Sequence, residues 1–321
     1  MLQPYQNMDY EIIKKQLSCR SKSLYEAYPY MKVPAVISAM NRLSSSNYFR
    51  CWTTEEQAAS LTLPELKELL KSAGQPQQGK KCDLINRVLE NIPDYQILYA
   101  AGNVQLIRLT EAGEEYYNFL KNTRIREYDE LVDNIRNFCL QGDFNAAYHN
   151  MCLYEARQFF KRGMGIDWEK HSQRPIPYDE QAAAYQFMIG ATNKATAATM
   201  IAYYWLGSPG RFRDYMNRHP ENDVDQEQLH YGHSLLCTLR ELANYRHDDY
   251  KKYKIILTDD ACDCCKAHEN KRYCVSKAQI GVNCPPFHVG CRCRIVAELG
   301  TFDDGTPIKA VGHWIKKKLK K

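Results

Sequence analysis

Apolar positions recur at helical spacing through most of the chain. Ile12, Ile13 and Leu17, then Val36, Ile37, Met40 and Leu43, give a weak period within a Tyr- and Ser-rich N-terminal extension, 1–55. Leu63, Leu66, Leu69 and Leu70 form one apolar face, and Leu84, Ile85, Val88 and Leu89 form another. Gly74, Pro76 and Gly79 interrupt the pattern between them, so two short helices around a turn are predicted over 61–92. Gln105 to Leu109 reads as a short strand feeding a helix, with Thr110 as its N-cap and Glu111 and Glu114 in the first turn. From about 126 to 250 the pattern is helical. Leu131, Ile135, Phe138 and Cys139 make one stripe, and Tyr148, Cys152, Glu155 and Phe159 a second. An Ala-rich helix capped by Asp179 is expected to run through Met188 towards Leu206, ended by Gly207-Ser208-Pro209-Gly210; Val224 to Tyr245 predicts another. Such stripes are core-facing surfaces. After Tyr250 the texture changes: Tyr253–Leu257 and Arg294–Leu299 read as strands around a Cys/His/Gly/Pro-rich segment.

With 321 residues, 44% hydrophobic and 25% charged, the chain can bury a sizeable core, which excludes a disordered protein. The longest nearly apolar run, Ala195 to Gly207, falls short of the roughly 20 residues that span a bilayer. The opening Met1-Leu2-Gln3-Pro4-Tyr5-Gln6 has neither a basic nor an apolar signal region, so a cytoplasmic protein without membrane contact is expected. The net charge of +5 equals the charge of Lys316, Lys317, Lys318, Lys320 and Lys321, a basic tail within 301–321 that is either solvated or touches nucleic acid.

Thirteen cysteines change the picture further, because seven of them fall between Cys262 and Cys293. Without an export signal, close local spacing points to metal rather than disulfides. Cys262 and Cys265 form C-x-x-C; His288 and Cys291 form H-x-x-C after 22 intervening residues. Two such pairs fill four corners of a structural zinc site and leave no open position for a hydrolytic water. Cys264, His268, Cys274, Cys284 and Cys293 are spare donors, which leaves a second zinc or another ligand set open. A RING finger fails because Arg294 stands where another cysteine is needed, and a zinc deaminase fails because Phe287 follows Pro286. A nuclease with His268 or His288 as base has no second set of metal ligands to support it.

The run Leu63-Pro64-Glu65-Leu66-Lys67-Glu68-Leu69 to Gly74, continued by Gly79-Lys80-Lys81-Cys82-Asp83-Leu84-Ile85-Asn86-Arg87, resembles the SAP domain, a helix–extension–helix module. Gln75 departs from it where the family has an apolar residue. The resemblance implies that Lys80, Lys81 and Arg87 face duplex-DNA phosphates, although residues 61–92 carry a net of only +1. Docking to protein is the alternative for this module.

The C-terminal stretch Thr258-Asp259-Asp260-Ala261-Cys262-Asp263-Cys264-Cys265, then Gly281-Val282-Asn283-Cys284-Pro285-Pro286-Phe287-His288-Val289-Gly290-Cys291-Arg292-Cys293, resembles the signature of phage minor head proteins. These are the head-morphogenesis, or Mu F-like, proteins of tailed phages and prophages. Ala267-His268-Glu269-Asn270-Lys271 and Val289 depart from the family's turn and its usual proline. The resemblance implies a non-enzymatic head protein in the virion or host cytoplasm, with capsid or portal proteins as partners, structural zinc and double-stranded DNA nearby. The expected class is α+β: extension 1–55, SAP-like domain 56–95, strand–helix connector 96–125, mostly helical body 126–250, zinc-stabilised β-module 251–300 and tail 301–321. No small-molecule substrate or catalytic residue is identified. Two alternatives stand beside it: a DNA-binding protein using the SAP-like and zinc modules, and a metal-dependent nuclease or toxin-like effector.

Overall fold

Capping residues and glycines set where most helices begin and end. The structure, a computed structural model, describes residues 2–18, 33–101, 107–158, 165–222 and 224–298. Phe159, Gln105, Leu299 and the lysine tail, all named above, lie outside the described residues. The described residues are 66% helical with two small antiparallel sheets, the mostly helical α+β class that the apolar pattern predicts. It divides into two units, and the boundary falls within the long helix Glu111–Gln141.

The first unit holds residues 1–127 and 157–161. Helices Pro4–Leu17 and Pro34–Ser44 bury Ile12, Ile13, Val36, Met40 and Leu43 against Leu109 and Leu120. A second core joins Ala58, Leu66, Leu70, Leu84, Val88 and Ile97 across helices Thr54–Ser60, Leu63–Ser72, Lys81–Asn91 and Asp94–Ala100. Helix Leu63–Ser72 stops where Gly74 adopts φ +69° and the Gln75 amide donates to the Leu70 carbonyl at 2.8 Å, a closure that exposes few backbone groups. Strands β1 (Phe49–Cys51) and β2 (Ile107–Leu109) pair antiparallel, which sets Arg50 opposite Arg108. Like charges facing across strands repel. Glu56 bridges them, at 2.7 Å from Arg50 and 2.9 Å from Arg108, and the Arg50 hydrogen bonds pull its carboxyl down to about 2. Thr110 caps the long helix as predicted, its hydroxyl accepting from the Gly113 amide at 3.1 Å.

The second unit holds residues 128–156 and 162–321. Its core gathers Leu131, Ile135, Tyr148, Phe187, Ile201 and Phe212. The single helix expected from Asp179 to Leu206 is instead two, Tyr178–Gly190 and Lys194–Leu206. Asn193 breaks it by accepting from the Thr196 amide at 3.0 Å, which starts a new helix. Every residue from Ala197 to Leu206 is buried, so that helix runs through the middle of the unit. Helix Gln226–His247 crosses it where Gly232 meets Met200; a Cβ there would lie 2.5 Å from the Met200 sulfur. The far end of the same helix supports the C-terminal sheet. Leu242 and Tyr245 pack on Tyr253, Ile255 and Ile295, and the Tyr245 hydroxyl donates to the Ile295 carbonyl at 3.4 Å. That sheet has β3 (Lys252–Ile256) at its centre, flanked by β4 (Arg272–Cys274) and β5 (Arg294–Ala297). β4 is three residues long, too short to leave an alternating pattern in the sequence. Among the described residues, no helix is long and apolar enough to cross a membrane.

A Cβ at Gly113 would lie 2.2 Å from the Tyr48 carbonyl, a backbone atom that also accepts from Thr110. Gly113→Ala is expected to destabilise the first unit by about 1–3 kcal/mol in urea titration, despite the ~1 kcal/mol that alanine adds to a helix. A second expectation concerns acid. His233 lies edge-on to Tyr203 and Tyr204 at 5.8 and 5.4 Å, and burial, reinforced by Arg294, His230 and Arg240, pushes its pKa down. The folded state then favours the neutral ring, so stability is held above the ordinary histidine pKa and lost as pH falls through it. Thermal unfolding at pH 7 and pH 5 should show a drop that His233→Gln reduces.

Candidate metal centre

Three short segments bring the sulfur and nitrogen donors together. Cys262 is the N-cap of the one-turn helix Asp263–Lys266, which follows β3, and Cys265 lies within that helix. His288 and Cys291 lie on the turn before β5, and Cys293 adjoins the first residue of that strand. Gly290, at φ +80°, lets the chain reverse so that the Cys291 amide donates to the His288 carbonyl at 3.1 Å. Pro285 and Pro286, joined by a cis bond, are buried beneath this turn.

Cys265 is the hub. The His288 Nε2 lies 3.1 Å from the Cys262 sulfur and 3.3 Å from the Cys265 sulfur, and the Cys265 and Cys291 sulfurs are 3.7 Å apart. Two groups of donors, Cys262/Cys265/His288 and Cys265/Cys291/Cys293, each lie within 4.8 Å of one another and share Cys265. All four residues predicted from the C-x-x-C and H-x-x-C pairs are therefore assembled, with Cys293 beside them. The His288 Nδ1 is 2.7 Å from the Val289 carbonyl. With the proton on Nδ1 donating there, the lone pair of Nε2 points at the two sulfurs, as a metal ligand requires.

The backbone prepares some sulfurs and not others. The Cys265 amide donates to the Cys262 sulfur and lowers its pKa. Burial pushes Cys291 up, but amide hydrogen bonds from its neighbours outweigh it and the net shift is downward. Burial raises both Cys265 and Cys293. Buried thiols this close cannot all ionise unless a cation shares the site. The donor set can thus hold a metal ion, with the thiolates ionising as it binds.

The other spare donors stay apart. His268 stacks on Phe287 at 4.1 Å, and its Nδ1 lies 2.8 Å from the Tyr273 hydroxyl, so the ring serves the packing of this turn. Cys284 is buried beside Tyr253, and burial pushes its thiol up to about 12. Cys264 and Cys274 are exposed and outside both donor groups. The amide donors and the Val289 carbonyl escape sequence reading, since every residue carries those groups.

Two of the three side chains expected at DNA phosphates donate inside their own unit. The Arg87 guanidinium donates to the Pro76 and Gln78 carbonyls at 2.6 and 3.1 Å, pinning the loop between its two helices. The Lys81 ammonium donates to the Ala59 carbonyl at 3.0 Å. Lys80 is exposed at the start of helix Lys81–Asn91, where its amide donates to Asp83 at 3.0 Å. On the closing strand side, Arg292 pairs with Asp260 at 3.1 Å.

No protein-family model, curated protein or solved structure matches the chain.

Chain purified without chelator should carry about one metal ion by elemental analysis. Cys262→Ser and Cys265→Ser are expected to lose it, while Cys264→Ser and Cys284→Ser keep it. Metal-free wild-type protein with the 251–298 segment still folded would sink the assignment.

Proposed function

We propose that this chain is a minor head, or head-morphogenesis, protein of a tailed phage or prophage, and that its C-terminal module is held by one structural zinc. The observation carrying the reading is the convergence of Cys262, Cys265, His288 and Cys291 within the stretch whose P-P-x-H-x-x-C-R-C pattern resembles that family. Zinc suits these donors: thiolate and imidazole ligands select it, and zinc–sulfur bonds of about 2.3 Å put neighbouring sulfurs about 3.8 Å apart in a tetrahedron. The Cys265–Cys291 separation of 3.7 Å agrees with that edge. Four protein ligands leave no coordination position for a reacting water, which favours a structural role over hydrolysis. The module is small for a self-sufficient core, and a metal cross-link between its strands supplies what burial does not.

In this reading the helical body and the module engage capsid or portal proteins, a few copies to each head, with packaged DNA nearby. A protein inventory of particles purified from an induced culture of the encoding strain tests it. The chain should co-purify with the heads at a few copies per particle, and deleting its gene should reduce filled heads. Normal particles that lack the chain would overturn the reading.

A further inference from the structure

The nearly balanced total charge conceals an asymmetry along the chain. Residues 1–250 carry a net charge of −3, whereas 251–321 hold fifteen Lys/Arg against seven Asp/Glu, a net of +8. Half of that excess lies in the described module, 251–298. Sheet geometry gathers it. Tyr253, Ile255 and Ile295 point into the core, so the alternate positions Lys252 and Lys254 of β3 share the outer face. Arg272 of β4 stands directly across from Lys254, and therefore on that same face. Lys271 and Lys277, both exposed, flank β4 at its two ends. One carboxylate answers this group: Glu298, 3.3 Å from Lys254 and 2.7 Å from Arg272. Three cations on the face and two beside the ends of β4 outnumber Glu298 and the exposed Glu269, whereas Lys266 and Arg292 elsewhere in the module have acidic partners, Asp263 and Asp260.

We infer that the outer face of the β3–β4 ribbon, through Lys252, Lys254 and Arg272, together with Lys271 and Lys277 beside the ends of β4, is a duplex-DNA backbone-binding surface, and that the two-helix segment at 61–92 is not. That segment has a net of only +1, and two of its three expected phosphate ligands donate to carbonyls of their own unit. On the ribbon and beside its ends, Lys252, Lys271, Arg272 and Lys277 are exposed and Lys254 is half-buried. The 630 Å³ hollow of the same unit opens among helices Tyr178–Gly190, Lys194–Leu206 and Gln226–His247, and no charged side chain lines it. An extended polyanion suits such a face better than a small anion, which needs a pocket. Duplex DNA, with a charge for about every 1.7 Å of axis, gains most from the counterions that lysines release. The six lysines beyond Glu298 add to the same end of the chain. This deepens the DNA element of the proposed function and does not depend on assembly into particles.

The test is binding of the full chain to a 30-base-pair duplex of arbitrary sequence between 50 and 200 mM salt. Lys252→Gln/Lys271→Gln/Lys277→Gln, which leaves both Glu298 ion pairs in place, should lower the slope of log K against log salt by about 3. Lys80→Gln/Lys81→Gln should leave it unchanged within half a unit. Metal content checks that each variant keeps its module. Acetylation of wild-type lysines with and without duplex gives a readout free of mutation, in which Lys252, Lys271 and Lys277 should be protected. No duplex binding at 50 mM salt overturns the inference. So does a slope carried by Lys80 and Lys81, the absence of protection, or equal affinity for polyglutamate, which would mark the face as a site for acidic protein. A failed particle inventory with duplex binding intact would remove the head-protein reading and leave this surface standing.

Discussion

Buried thiols at close quarters are an electrostatic constraint on the whole C-terminal module. Cys265 is 2% exposed and lies within contact distance of a second sulfur and an imidazole nitrogen. Ionised together without a cation, these groups would repel in a medium that screens poorly. Kept as neutral thiols they make only weak hydrogen bonds, poor compensation for a module with few apolar side chains to bury. A divalent ion resolves both problems at once, and the rest of the geometry leads to that point. The amide of Cys265 aims at Cys262, the left-handed turn at Gly290 brings Cys291 round, and the Val289 carbonyl orients His288.

The module does not stand alone, because helix Gln226–His247 serves two cores. Its first half meets the buried helix Lys194–Leu206 so closely at Gly232 that only glycine leaves room for Met200. Its second half contributes Leu242 and Tyr245 to the core beneath β3 and β5. Loss of the donor cluster would therefore be felt first at the end of this helix. The core of the helical body, by contrast, is built from Ile135, Ile201, Phe212 and their neighbours and contains none of the donors.

Charge follows a different logic from packing. Arg87 and Lys81 looked like phosphate ligands by residue type, yet a long cation near the end of a helix is as useful to an orphan carbonyl as to a phosphate. Three carbonyls, those of Pro76, Gln78 and Ala59, have claimed them. On β3 and β4 the backbone is paired into the sheet, and Lys252, Lys271 and Lys277 stay exposed.

Local spacing was enough to determine the helical class, the two apolar faces at 63–70 and 84–89, the Thr110 cap and the two donor pairs at 262–265 and 288–291. Each of these depends on residues three or four apart, and the chain's own geometry relates such neighbours. Tertiary structure alone decided which spare donors joined them. Cys293 reaches the cluster because β5 pairs with β3, while Cys284 is drawn into the core beside Tyr253 and His268 stacks on Phe287. It also decided that Lys252 and Arg272, twenty residues apart in sequence, lie on one face. Pairing of strands sets that relation through hydrogen bonds between backbone groups, which are the same in every residue and leave no mark in the order of side chains.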